Sequence, residues 1–99
     1  IGLPVEIYLG QLVCSRTGRD QGRYYLVVGW HDARRVKLVD GYQRPVNRPK
    51  VKNVAHLERT GCVAPKINKC LLKGEPITNE MVRAELGKLC HDLSRKEGD

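Results

Sequence analysis

The chain contains no Phe, one Trp and four Tyr, so aromatic side chains make up only 5% of its 99 residues. A core assembled without Phe is built from aliphatic groups, and a binding surface that depends on an aromatic-lined groove has little material. Acidic residues are also scarce: 11 Asp+Glu stand against 18 Lys+Arg, which gives a net charge of +7 and a pI near 9.5. Such a field attracts polyanions and repels basic partners, and it puts nucleic acid first among the candidates. No run approaches the ~18 apolar residues of a membrane span. The opening Ile1-Gly2-Leu3-Pro4 has no basic region followed by an apolar one, and residue 1 being Ile rather than Met leaves the position of the natural start open. A cytoplasmic protein with no membrane partner is the expectation.

The signatures of catalysis and cofactor binding are missing as well. Neither GxGxxG nor GxxxxGK[ST] occurs, so the common phosphate-cradling loops of nucleotide enzymes are absent from the sequence. Four cysteines, Cys14, Cys62, Cys70 and Cys90, are present, but Cys62-x7-Cys70 and the neighbouring Cys90-His91 do not match the close ligand pairs of zinc ribbons or fingers. Nothing else resembles a disulfide-built scaffold, so reduced thiols are expected, with Cys70 and Cys90 serving as small hydrophobes on helices. With 40% apolar residues, a chain of this length supports a modest core and leaves little for a deep substrate pocket. No enzyme, cofactor, metal or small-molecule substrate is expected. A thiol- or zinc-dependent enzyme is a third reading, and it would demand bound metal or a reactive low-pKa cysteine.

What is present changes character near Gly61. Before it, short β-rich runs alternate with Gly, Pro and Asp turns; after it, helical spacing takes over. Gly10 to Ser15 is a short strand. Arg23 to His31 is the strongest strand, apolar on both faces, with Gly29 marking a bulge. Asp32 to Arg35 forms a hairpin loop into Val36-Lys37-Leu38-Val39, whose side chains alternate, and Asp40-Gly41 ends that strand. Pro45 and Pro49 keep the segment from Tyr42 to Asn53 in loop or edge geometry. Val54 to Arg59 reads as a last strand closing the sheet, and strands of this length about ten residues apart argue for a small barrel. Beyond Gly61, Pro65 suits a first helical position, Ile67, Cys70 and Leu71 follow at i, i+3, i+4, and Gly74 stops the helix. A second helix starts from Thr78 as N-cap, with Glu80 in its first turn, Ile77 stapling onto Val82, and an apolar stripe of Val82, Leu86, Leu89 and Leu93; it frays from Ser94. The expected fold is mainly β with C-terminal helices: a barrel over residues 1–60 and a helical extension over 61–99 carrying two short α-helices.

The run from Leu9 to Val28, with Gly18 and Gly22 in a basic loop between two strands, resembles a KOW motif. The likeness continues through Val36-Lys37-Leu38-Val39-Asp40-Gly41 and Lys52-Asn53-Val54-Ala55-His56-Leu57 into a layout similar to a KOW-containing large-subunit ribosomal protein family of archaea and eukaryotes, and closer still to short bacterial KOW-domain RNA-binding proteins. It covers about residues 5 to 60. The resemblance implies an SH3-like barrel whose loops contact ribosomal RNA, with no catalytic residues. KOW segments also occur in transcription elongation factors. Gly22 matches the family's loop glycine, whereas Asp20 is acidic where many KOW loops are more basic.

The residues themselves support a polyanion-binding surface. Arg16, Arg19 and Arg23 combine planar guanidinium donors with a loop made permissive by Gly18 and Gly22. Arg44, Arg48, Lys50 and Lys52 are all even-numbered and project to about the same side of an extended segment, joined from the neighbouring hairpin by Arg34, Arg35 and Lys37. Between Arg34 and Lys52, seven basic residues face the single acid Asp40. Tyr42, beside Arg44, is the aromatic best placed to stack on an unpaired base, while Trp30 and at least one of Tyr24 and Tyr25 belong to the core. His31 is left unassigned. The plainer use of these charges is a solvated surface. The expected function is an RNA-binding, ribosome-associated protein that recognises ribosomal RNA by shape and backbone, with ribosomal proteins as further partners. The alternative is a protein-interaction module of the transcription or translation machinery, whose mark would be an exposed aromatic groove with little response to salt.

Overall fold

The computed structural model describes residues 6–97. Five strands come first: β1 (Gln11–Ser15), β2 (Tyr24–Trp30), β3 (Arg35–Val39), β4 (Lys50–Asn53) and β5 (Leu57–Val63). Two helices follow, α1 (Pro65–Leu72) and α2 (Asn79–Glu97). The strands form one sheet in the order β4-β3-β2-β1-β5 with antiparallel neighbours throughout. The first four strands follow one another as antiparallel neighbours, and β5 returns to the far side of β1, where Ser15 pairs with Leu57 and Gln11 with Val63.

This sheet is not the expected closed barrel. Closure would require Val54 to Arg59 to pair beside β4, but Val54–His56 form a 3-10 turn, capped where the Asn53 side chain accepts the Ala55 N–H at 2.9 Å. The strand begins only at Leu57 and runs along β1, so no ladder joins β4 to β5. The sheet nevertheless curls. Its two edge strands are linked by three residues; in a flat sheet four spacings of ~4.8 Å would hold them about 19 Å apart, farther than a 3-10 turn rising ~2 Å per residue reaches.

Both faces are therefore buried. On the inner face Val13, Tyr25, Val27, Val36, Leu38 and Leu57 form one cluster. On the outer face Leu12, Leu26 and Val39 meet Ala64 and Ile67 around the start of α1 and Val82 and Leu86 of α2, with Leu89, Cys90 and Leu93 packed alongside. Alternation along β1 to β3 assigns each residue to its layer, and this two-sided burial is why β2 reads as apolar on both faces. The register shift between Val27 and Gly29 confirms the bulge.

The helices start and stop as their sequences require. Pro65 opens α1, and Gly74, at φ 72°, ends it. There the Gly74 N–H donates to Leu71 O at 3.2 Å and the Glu75 N–H to Cys70 O at 2.8 Å, the paired bonds of a Schellman motif. Thr78 Oγ1 accepts the Met81 N–H at 3.1 Å and caps α2. The helix continues to Glu97, beyond the fraying expected from Ser94.

Candidate nucleic-acid interface

The basic surface is organised around an acid. Asp20 lies in the β1–β2 loop and is buried. Ser15 Oγ donates to its Oδ1 at 2.8 Å and Tyr25 OH to its Oδ2 at 2.9 Å. Lys52 Nζ reaches Oδ1 at 2.9 Å and Lys50 Nζ lies 3.4 Å from Oδ2. Burial acts to raise the Asp20 pKa, but the bonds from Lys52, Ser15 and Tyr25 and the charge of Lys50 outweigh it and hold the carboxyl well below the usual carboxylate range. The same cluster, through burial first and then the bond to Asp20, pushes Tyr25 up to about 12. Asp20 is thus ionised at neutral pH and its charge is matched internally, so it is not the surface acid that its position in a KOW-like loop suggests.

Its partners correct one expectation directly. Lys50 and Lys52 do not project outward with Arg44 and Arg48. Lys52 pairs with Val36 and Lys50 with Leu38, and cross-strand partners share a face, so both lysines lie on the inner face at the sheet edge. Lys52 also donates to Thr17 O at 2.8 Å. These two cations serve the loop rather than the surface. Lys37, which pairs with Val51, is half-buried on the opposite face.

The remaining cations are more open. Arg16, Arg19 and Arg23 are exposed on the loop that Asp20 anchors. That loop turns through Gly18 and Gly22, both at φ 88°. Arg34 and Arg35 are exposed on the β2–β3 hairpin, where Arg35 holds Asp32 at 2.6 Å. The Asp32 carboxyl also accepts the Arg34 and Arg35 N–H groups, each at 2.9 Å. These bonds, the Arg35 side chain foremost, lower the Asp32 pKa to about 2. In the loop spanning residues 40–49, Arg48 is exposed, Arg44 half-buried and Tyr42 68% exposed.

Specific contacts join these segments in series. The Arg23 guanidinium donates to Gln43 Oε1, linking the β1–β2 loop to the 40–49 loop. Through Lys52 to Thr17 O, and through the Arg16 N–H to His56 O at 2.9 Å, the same loop meets β4 and the 3-10 turn. The Val54 N–H then donates to Arg34 O at 2.9 Å and ties in the hairpin. Arg16, Arg19, Arg23, Arg34, Arg35, Arg44 and Arg48 therefore belong to connected segments, although 11 residues of sequence separate Arg23 from Arg34 and 32 separate Arg16 from Arg48.

Three features escape the sequence reading. Trp30, expected in the core, is 42% exposed; it is the last residue of β2 and lies beyond the bulge, opposite Val36. Arg83 of α2 places its guanidinium carbon 5.4 Å from the centroid of the Tyr42 ring, a contact with no signal in local sequence. Lys66, Lys69 and Lys73 are exposed along and just past α1, and the absence of any acid between Glu58 and Glu75 could have drawn attention to them. His31 is exposed. The four cysteines are free and half-buried, and burial pushes the Cys14 and Cys90 thiols up.

Fold and surface define a small basic protein: a curled antiparallel sheet, backed by two helices, with arginine-bearing loops held in mutual contact. No protein-family model matches the chain. It is similar to a protein of Bacillus subtilis (strain 168) named "Putative ribosome-binding protein YbzG", with 31% identity over 71 residues that cover 72% of this chain and 96% of that protein. The chain belongs to the YbzG family.

Proposed function

We propose that the protein associates with the ribosome in the cytoplasm and binds ribosomal RNA by its phosphates, through the exposed arginines of its connected loops, without catalysing a reaction. The observation that carries this reading is the construction of the β1–β2 loop. Buried Asp20, fixed by Ser15, Tyr25, Lys50 and Lys52, holds the loop while Arg16, Arg19 and Arg23 remain exposed. Guanidinium groups on an ordered backbone lose less freedom on meeting a phosphate than groups on a mobile one. The order strand, basic loop with Gly22 at φ 88° and second strand also supports the resemblance to a KOW motif. The ribosome-binding name of the Bacillus relative, nearly all of which is matched, supports the same partner. Recognition would rest on RNA shape and backbone, since the loop cations offer few base-specific contacts.

The test is binding of the purified protein to ribosomal RNA and to an unrelated structured RNA of equal length across a salt series. Affinity should fall steeply with salt, by about 0.7 to 0.9 log units of K per log unit of salt for each phosphate neutralised, and the preference for ribosomal RNA should survive at higher salt. Replacing Arg16, Arg19 and Arg23 together by Ala should weaken binding and flatten the slope by roughly that amount for each phosphate no longer neutralised. An unchanged slope removes this loop from the interface. Ribosome association that ignores both salt and the triple substitution would instead assign the partner to a ribosomal protein.

A further inference from the structure

Tyr42 is the most exposed aromatic residue among those described, at 68%, yet its backbone is held in a hydrogen-bonded turn. Asp40 Oδ1 accepts the Tyr42 N–H at 2.8 Å and the Arg44 N–H at 2.9 Å. The Asp40 and Gly41 N–H groups both donate to Arg44 O, at 3.0 and 3.2 Å. This turn is pressed against α2: Gly41 has φ 81°, and a Cβ there would lie 2.7 Å from Arg83 Cγ and 2.8 Å from Asn79 O. Arg83 Nη1 donates to Gly41 O at 2.8 Å, and Asn79 Oδ1 accepts the Val46 N–H at 2.8 Å. Packing does not account for such an arrangement, because a ring left in water adds little to stability.

Arg83 bonds the turn with one nitrogen and sets its guanidinium against one side of the Tyr42 ring. With that cation in place the ring is still 68% exposed, so its other side is open to a flat partner. The half-buried Arg44 and the exposed Arg48 stand in the same loop. We infer that Tyr42, buttressed by Arg83 from α2, is a stacking platform for one unpaired RNA base. This rests on the RNA-binding reading above and adds a preference: RNA presenting an unstacked nucleotide over a continuous helix. Every base has a π-face, so the platform selects for an available base rather than its identity.

The experiment compares two RNAs of equal length and charge, one a continuous duplex and one carrying an open loop, at fixed moderate salt. The wild-type protein should prefer the looped RNA. Tyr42→Ala should weaken that complex by about 5- to 150-fold while leaving duplex affinity and the salt slope unchanged. Tyr42→Phe should retain the preference, and Arg83→Gln, with helix content checked by circular dichroism, should reduce it. Equal wild-type affinity for both RNAs overturns the platform while sparing the electrostatic reading, as does a Tyr42→Ala loss shared equally by both. Failure of the wild type to bind either RNA at low salt overturns both readings together.

Discussion

At Asp20 the folded protein keeps a carboxylate ionised below its usual range, whereas the unfolded chain titrates the same group at about 3.9. A depressed folded pKa contributes stability that is fully present above the unfolded value and is lost as pH falls toward the folded one. Stability should therefore hold from neutrality down to about pH 5 and decline below about pH 4, measurable by urea unfolding monitored through Trp30. Tyr25 acts in the opposite sense: its pKa, raised to about 12 from 10.0, contributes stability present below pH 10 and lost as pH rises toward 12. An alkaline limb that begins well below pH 9 would contradict this. Asp20→Asn keeps the shape but leaves Lys52, 11% exposed in its side chain, without its counter-charge. A loss of about 3 to 5 kcal/mol in unfolding free energy is expected at neutral pH, shrinking as pH falls below about 4, where the unfolded wild-type acid takes up its proton. None of this is legible in the sequence, where Asp20 reads as a stray acid in a basic loop, because its partners come from β1, β2 and β4.

Elements that depend on neighbours in sequence are legible, and those that depend on distant partners are not. Pro65, Gly74 and Thr78 mark helix ends because capping is a local matter of N–H and C=O groups within one turn. Thr78→Ala should cost about 1 kcal/mol and leave the native fold intact, as thermal unfolding would show. Strand β3 is likewise readable from alternation and the bulge from Gly29 inside an otherwise apolar strand. The fifth strand is legible only in part: Val54 to Arg59 reads as a strand, but its start at Leu57, its run through Thr60 and Gly61 to Val63 and its partner β1 do not, because that partner lies more than 40 residues away. The lysines of β4 show the same limit: even spacing correctly places Lys50 and Lys52 on one face, but only pairing with Leu38 and Val36 tells which face it is. Trp30 fails for a related reason, since a strand's last residue can outrun the core that its neighbours share.

For the whole molecule, net charge bears on the class of partner proposed above but not on its contact surface, because the fold withdraws Lys50 and Lys52 to the inner face and joins the other cations from segments far apart in sequence. The salt series and the Arg16, Arg19, Arg23 substitution described above act at this scale, since the number of phosphates neutralised by the surface as a whole sets the slope. The open sheet has a further effect. Among the described residues, strands β4 and β5 each have an edge that no other strand pairs, the kind of template along which identical chains add to one another. Here β4 is only four residues long, follows Pro49 and carries two lysines, and β5 is interrupted by Gly61 at φ 81° and charged at Glu58 and Arg59. Short length, proline, charge and a kinked backbone all oppose edge-to-edge growth, so a sheet that curls without closing carries edges that discourage aggregation.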